Sequence, residues 1–91
     1  MPKRVDRVQP EIVKALRERG LSVQCLHMVG KGCPDIVVGL DRGIGENWLF
    51  EIKSEKGSTL TPSELLWHLN WKGQYHIIHS AEEALEIMQL G

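Results

Sequence analysis

The chain has 91 residues, 42% of them apolar and 25% charged, with a formal net charge of -1. This is the composition of an ordinary globular protein, which excludes an intrinsically disordered chain. The near-zero net charge excludes a large, uniformly basic binding surface, and no apolar run approaches the ~18 residues needed to span a bilayer. The length suits one domain over residues 1–91, with no room for a second core. A chain this small buries only about 60–65% of its unfolded surface, so it gains stability by self-association. The start, MPKRVDRVQP, is basic but has no apolar signal segment, so a cytoplasmic location is expected. Two cysteines, Cys25 and Cys33, are too few for a disulfide framework. Cys25 and His27 lack paired zinc-ligand spacing, so they read as a thiol and a strand histidine.

Charge is unevenly spread. The first nineteen residues hold Lys3, Arg4, Arg7, Lys14, Arg17 and Arg19 against Asp6, Glu11 and Glu18. From Ser80 onward there are Glu82, Glu83 and Glu86 and no basic residue. Such a bipolar molecule either presents one basic side to phosphates or merely solvates its helices.

In chain order, Val8, Ile12, Val13 and Leu16 recur at helical spacing. Pro10 suits the first turn and Gly20 the position past the end, which predicts a helix over Gln9 to Arg19. LSVQCLHM alternates and reads as a strand, and VGKGCP as a glycine-rich loop. DIVVGL is a short, mostly buried strand, and DRGIGE turns the chain back into the strand NWLFEIK. Thr61, Pro62 and Glu64 then form a capping-box start for a second helix running to about Trp71. YHIIH is a fourth strand, and Ser80 with Glu83 opens a last helix ending near Gly91. Three consecutive strands suggest an antiparallel meander, and the helix before the fourth permits a parallel crossover. The predicted architecture is a mixed α+β sheet flanked by helices.

The third strand raises the chemical question. Side chains alternate across a strand, so Glu51 and Lys53 share one face while Phe50 and Ile52 face the core. One reading is a solvated face with a weak surface ion pair. The other is a reaction site in which an anion holds a metal beside a cation. Asp35 bears on the choice: it begins the preceding strand, just after Pro34, which cannot donate a ladder hydrogen bond. A hairpin would bring Asp35 near Glu51 and Lys53. Two carboxylates and the Ile52 carbonyl suit a hard cation such as Mg2+ or Mn2+. A lysine there would orient water or neutralise phosphate charge.

Asp35 followed sixteen residues later by Glu51-Ile52-Lys53 resembles the PD-(D/E)xK nuclease signature. The fuller pattern GCPDIVVGL and FEIKSEKGSTLTPSE resembles the VRR-NUC family, the virus-type replication-repair nucleases, over nearly the whole chain. The resemblance implies a restriction-endonuclease-like core in the order α-β-β-β-α-β-α, and Mg2+- or Mn2+-dependent phosphodiester hydrolysis. It implies that Asp35 and Glu51 bind metal, that Lys53 is the catalytic lysine, and that Glu11 matches the first-helix glutamate which reaches the metal directly or through water. Read by itself, Glu11 is an ordinary carboxylate in a first helical turn, favoured by the helix dipole. After LTP and one more residue the family usually has glutamine, where this chain has Glu64. Either residue closes a capping box, so Glu64 reads as a cap or as an added ligand. Lys31 and Lys56 flank the motifs as candidate phosphate contacts or as solvated loop lysines. His68, His76 and His79 have no spacing that demands catalysis.

Stand-alone viral and bacterial members of the family resemble Holliday-junction resolvases and act as homodimers. The resemblance therefore implies a homodimeric DNA endonuclease of a bacterial or phage-infected cell, acting on branched or four-way junction DNA, with nicking of flaps or duplex as the runner-up. The competing readings are a catalytically silent DNA-binding or interaction module, and a structural protein with a solvated charged face. In the second helix, Leu65, Leu66 and Leu69 fall on one side and are expected in the core. Trp67 and Trp71 fall on the other, with Glu64 and His68 beside them. The tryptophans are open to burial under a neighbouring segment, to a dimer contact, or to base stacking.

Overall fold

The computed structural model describes residues 5–55 and 58–91; Lys56 lies outside the described residues. The elements run α1 (Gln9–Glu18), β1 (Ser22–Cys25), β2 (Ile36–Asp41), β3 (Gly45–Ile52), α2 (Pro62–Asn70), β4 (His76–Ile78) and α3 (Ala81–Ile87). This is the order anticipated from the sequence. The strands lie side by side as β1-β2-β3-β4. β1–β2 and β2–β3 pair antiparallel, and β3–β4 pair parallel across the α2 crossover.

Local sequence explains most boundaries. α1 has proline in its first turn and ends where Gly20 takes φ +84°, a backbone state an L side chain resists. α2 carries the full capping box: Thr61 Oγ1 accepts from the Glu64 N–H, and the Glu64 carboxylate accepts from the Thr61 N–H at 2.8 Å. At α3 only half of the expected box forms. Ser80 Oγ accepts from the Glu83 N–H at 3.1 Å, while the Glu83 carboxylate turns to the His79 ring at 3.1 Å. β1 is shorter than its alternating pattern, because the chain turns at Leu26–Val29, where the Val29 N–H donates to the Leu26 carbonyl. α3 stops at Ile87, short of the expected end, and Gln89 takes a left-handed φ of 60°.

The core lies on one face of the sheet. Ile36 and Val38 of β2, Phe50 and Ile52 of β3 and Ile78 of β4 are all under 2% exposed. They pack with Ile12, Val13 and Leu16 of α1, with Ala81 and Ala84 of α3, and with Met88 just past its end. Strand alternation then sends Asp35, Glu51 and Lys53 to the opposite face, where α2 lies.

Here the structure corrects the expected polarity of α2. Leu65, Leu66 and Leu69 are 47%, 63% and 69% exposed, so they are not core. Glu64 is the buried residue of the helix. The capping-box Glu64 points inward to reach Lys53, and Trp67 and His68 one turn later follow it by helical geometry and are half-buried, while Trp71, just past the helix end, is 46% exposed. Trp67 stacks on Trp71 at 4.6 Å, and Trp67 and His68 lean on Tyr75 at 5.9 and 4.2 Å. The leucines are left on the outer side. No described helix is long and apolar enough to cross a membrane.

Candidate active site

The register fixes the site. Ile36 pairs with Phe50, so the next step places Asp35 opposite Glu51 on neighbouring antiparallel strands. The Asp35 N–H donates to the Phe50 carbonyl at 3.1 Å, and the Asp35 carbonyl accepts from the Leu26 N–H at 2.8 Å. With its backbone tied on both sides, the Asp35 carboxylate sits above β3 and accepts from the Ile52 N–H at 2.6 Å. That is a short, charge-assisted bond. Asp35 and Glu51 are each 1% exposed.

Carboxylates buried this deeply are costly unless partnered, by several kcal/mol each in typical cases. Lys53 is one such partner. Its Nζ lies 2.8 Å from Glu64 Oε1 and 3.9 Å from Glu51 Oε2, and the side chain keeps 16% exposure. Its own backbone N–H donates to the Ile78 carbonyl, which holds the end of β3 against β4. Glu64 Oε1 therefore accepts from both Lys53 and the Thr61 N–H. Glu64, where the sequence departs from the pattern it resembles, at once completes the capping box of α2 and clamps the lysine.

A cleft of about 700 Å³ opens over this cluster, and Lys31, Asp35, Glu51, Ile52, Lys53 and Glu64 all line it. Its rim is shaped by a close approach. Gly32 has φ +81°, and a Cβ there would sit 2.1 Å from the Ser63 carbonyl oxygen. Only glycine lets this loop lie against the start of α2, with Asp35 on one side and Glu64 on the other.

One expected position stands apart from the cleft. Glu11 is exposed in the first turn of α1 and does not line the cleft. The inward stripe of that helix is Gln9, Ile12, Val13 and Leu16, and Glu11 falls outside it. The acidic residue that reaches the cleft from this end of the chain is Asp6. Its Oδ1 accepts from the Val8 N–H and its Oδ2 from the Ser54 N–H at 3.0 Å, which ties the start of α1 to the end of β3. Lys56 lies outside the described residues.

Tyr75, just before β4, also went unnoticed in the sequence. Its hydroxyl is buried without a hydrogen-bond partner. Burial raises its pKa above the ordinary tyrosine value, and the negative charges of Glu51, Glu64 and Asp35 add to the rise. It stays protonated wherever the protein is folded near neutral pH. Of the other histidines, His76 packs on Trp48 and Phe50, and His79 pairs with Glu83. None of the histidines lines the cleft.

Among the described residues no three or more carboxylate, imidazole or thiolate groups are arranged to hold a metal ion. A hard cation does not require such a cage: Mg2+ keeps most of its waters and takes one or two carboxylates from the protein. The donor set of Asp35, Glu51 and the Ile52 carbonyl is all oxygen and fits a cation of that kind.

The fold is a four-stranded mixed sheet flanked by helices, with Asp35 and Glu51 facing each other on adjacent antiparallel strands and Lys53 two residues past Glu51. A solved structure described as "VRR_NUC domain" superposes on this chain with a TM-score of 0.69, covering 91% of each chain at 24% identity. The chain has the VRR-NUC fold. No protein-family profile matches the sequence, and no curated protein is detectably similar to it.

Proposed function

We propose that this protein is a metal-dependent DNA endonuclease that hydrolyses phosphodiester bonds, with branched or four-way junction DNA as its substrate. The observation that carries the reading is the register of Asp35 against Glu51, which sets two buried carboxylates beside the Lys53 ammonium in one open cleft. A solvated strand face would leave these groups exposed. Asp35, Glu51 and the Ile52 carbonyl would hold Mg2+ or Mn2+, which when bound supplies Lewis acidity toward a phosphate oxygen and lowers the pKa of coordinated water.

The chain's own residues do the rest. The Ile52 N–H fixes the Asp35 carboxylate, and the capping-box Glu64 holds Lys53 at the cleft wall. From there the ammonium can turn to a substrate phosphate and stabilise the negative charge that builds in the transition state. Lys31, exposed at the rim with φ 56°, is placed to contact a neighbouring phosphate. The likeness to a VRR_NUC domain supports the same reading.

The test is a panel of labelled duplex, flap, splayed and four-way DNA with Mg2+, Mn2+ or EDTA. Cleavage should need the metal and favour branched DNA. Lys53→Ala should lower the rate by about 10²–10³, the usual cost of losing such a contact. Undiminished cleavage by a folded Lys53→Ala protein would sink the assignment. Metal-independent DNA binding without cleavage by the unmodified chain would favour the catalytically silent module instead.

We also propose a homodimer, which on a junction places one site near each of two related strands. The outward Leu65, Leu66 and Leu69 of α2 are the surface that supports it. Sedimentation velocity should show a dimer for the unmodified chain and a folded monomer for Leu66→Glu. A dimer unaffected by Leu66→Glu would place the contact elsewhere.

A further inference from the structure

A second groove, of about 520 Å³, runs along α2. Ser63, Leu66, Trp67 and Asn70 line it at the three- and four-residue spacing of one helix face, and Trp71 continues the stripe past the helix end. Its other wall is Lys31, on the loop that the close approach of Gly32 seats against Ser63. Lys31 and Ser63 also line the cleft, so the two hollows share a wall. None of the groove's described lining residues is acidic, and Lys72, next to Trp71 in the chain, is exposed. The aromatic pair is held in place. Trp67 stacks on Trp71 with centroids 4.6 Å apart and planes 19° from parallel, and it leans on Tyr75 just before β4. A Cβ at Gly73 would lie 2.8 Å from Trp71 Nε1, so glycine lets the chain pass close to the indole. Stacking covers one face of Trp71, yet the residue stays exposed, with exposed Leu66 in the same groove. An ordered aromatic surface beside an apolar neighbour and two lysines is more than a scattered apolar residue.

We propose that the Trp67–Trp71 pair is a stacking platform for one unpaired base of the strand whose phosphate lies in the cleft. The inference rests on the nuclease reading of that cleft and deepens it by giving the unpaired part of a branched substrate a place to bind. Three observations favour a base over a protein segment. The platform is flat and aromatic, and every base has a π-face to lay on it. The charge beside it is positive, with Lys31 in the wall and Lys72 next to Trp71, which suits the phosphates flanking that base. Continuity is the third: a phosphate held at Lys31 would join the nucleotide in the cleft to the one on the platform. Trp71 takes the base, and Trp67 is a positioning residue that fixes the Trp71 ring. A base inside a duplex already has stacking neighbours on both faces, so only an unpaired one gains from the platform. Unstacking is easiest where pairing is already broken, so the platform selects branch points and splayed ends without reading sequence.

The experiment follows the Trp71 indole N–H signal by NMR in EDTA while splayed-arm DNA is added, intact or with one abasic position moved stepwise through the branch. The signal should shift saturably with intact DNA. At one position base removal should abolish the shift and weaken binding about tenfold, the usual loss when one stacked base is removed. Trp71→Leu should weaken binding of intact DNA by a similar factor and leave binding of that abasic DNA unchanged. Trp71→Phe keeps a ring and should stay within about threefold of the parent, which a merely apolar contact would not require. The wild-type titration stands on its own if either variant does not fold. A Trp71 signal that stays still on saturation, or that moves equally with every abasic DNA, would overturn the platform. A signal that moves with protein concentration and not with DNA would overturn it too, assigning the groove to a second copy of the chain. Cleavage of the same DNA with Mn2+ separates the two readings. Cleavage that no abasic position slows, with Trp71 unmoved, overturns the platform alone, whereas neither binding nor cleavage overturns both.

Discussion

Replacing Gly32 with alanine should test how the cleft is held open. Two costs are expected at that position. The backbone is left-handed, φ +81°, which disfavours an L residue by about 1–2 kcal/mol. The added Cβ would also lie 2.1 Å from the Ser63 carbonyl oxygen, 2.5 Å from its carbon and 2.9 Å from the Glu64 nitrogen. All three are backbone atoms at the start of α2, so no side chain can swing away. Overpacking of that kind costs about 1–3 kcal/mol, for a combined loss of roughly 2–5 kcal/mol. Gly20→Ala is the internal control: φ is +84° but nothing lies within 4 Å of the added Cβ, so only the backbone cost applies. Urea unfolding followed by tryptophan fluorescence should place Gly32→Ala about 1–3 kcal/mol below Gly20→Ala. For a domain of this size that gap is at least about 4 °C in Tm. Because the shift needed to relieve the overlap separates the loop before Asp35 from Glu64, activity should fall in Gly32→Ala and not in Gly20→Ala. Two variants of equal stability within about 0.5 kcal/mol would refute the close-approach argument.

Glu64→Gln should leave stability within about 0.5 kcal/mol of the parent, because glutamine closes the same capping box and its carbonyl oxygen still accepts from Lys53. Activity should be retained or rise, and a more than tenfold loss of Mn2+ affinity by calorimetry would instead make Glu64 a ligand. Tyr75→Phe should raise stability by about 1 kcal/mol, since it removes a buried hydroxyl with no partner. It should also flatten the alkaline limb of the stability profile. Burial raises the folded pKa above the ordinary tyrosine value of about 10, so the unfolded chain loses its proton first, and stability falls as pH climbs past about 10. The tyrosine itself contributes nothing to pH dependence near neutrality. An unchanged alkaline slope in Tyr75→Phe would show that another group controls it.

The sequence by itself determined the order of elements and the identity of the central cluster. Helix starts were legible because proline, threonine and serine act through local hydrogen bonds that need no tertiary partner, as at Thr61 and Glu64. Asp35, Glu51 and Lys53 were legible because strand alternation is a two-residue rule, so Glu51 and Lys53 had to leave the Phe50/Ile52 face. What the sequence could not supply was register and orientation. Only the pairing of β2 with β3 sets Asp35 opposite Glu51, since a slip of one residue would turn it to the other side of the sheet. The periodicity of α2 gave two faces but not which one turns inward. A leucine stripe looks like core until the buried Glu64–Lys53 contact turns the helix the other way and leaves Leu65, Leu66 and Leu69 in solvent. For Glu11 the place in the first helical turn was readable, but its exposed position outside the cleft lining depends on how α1 packs. Asp6 and Tyr75 carry no motif at all. They matter through contacts between segments distant in the chain, or through the lack of such contacts, and only the folded chain brings those segments together.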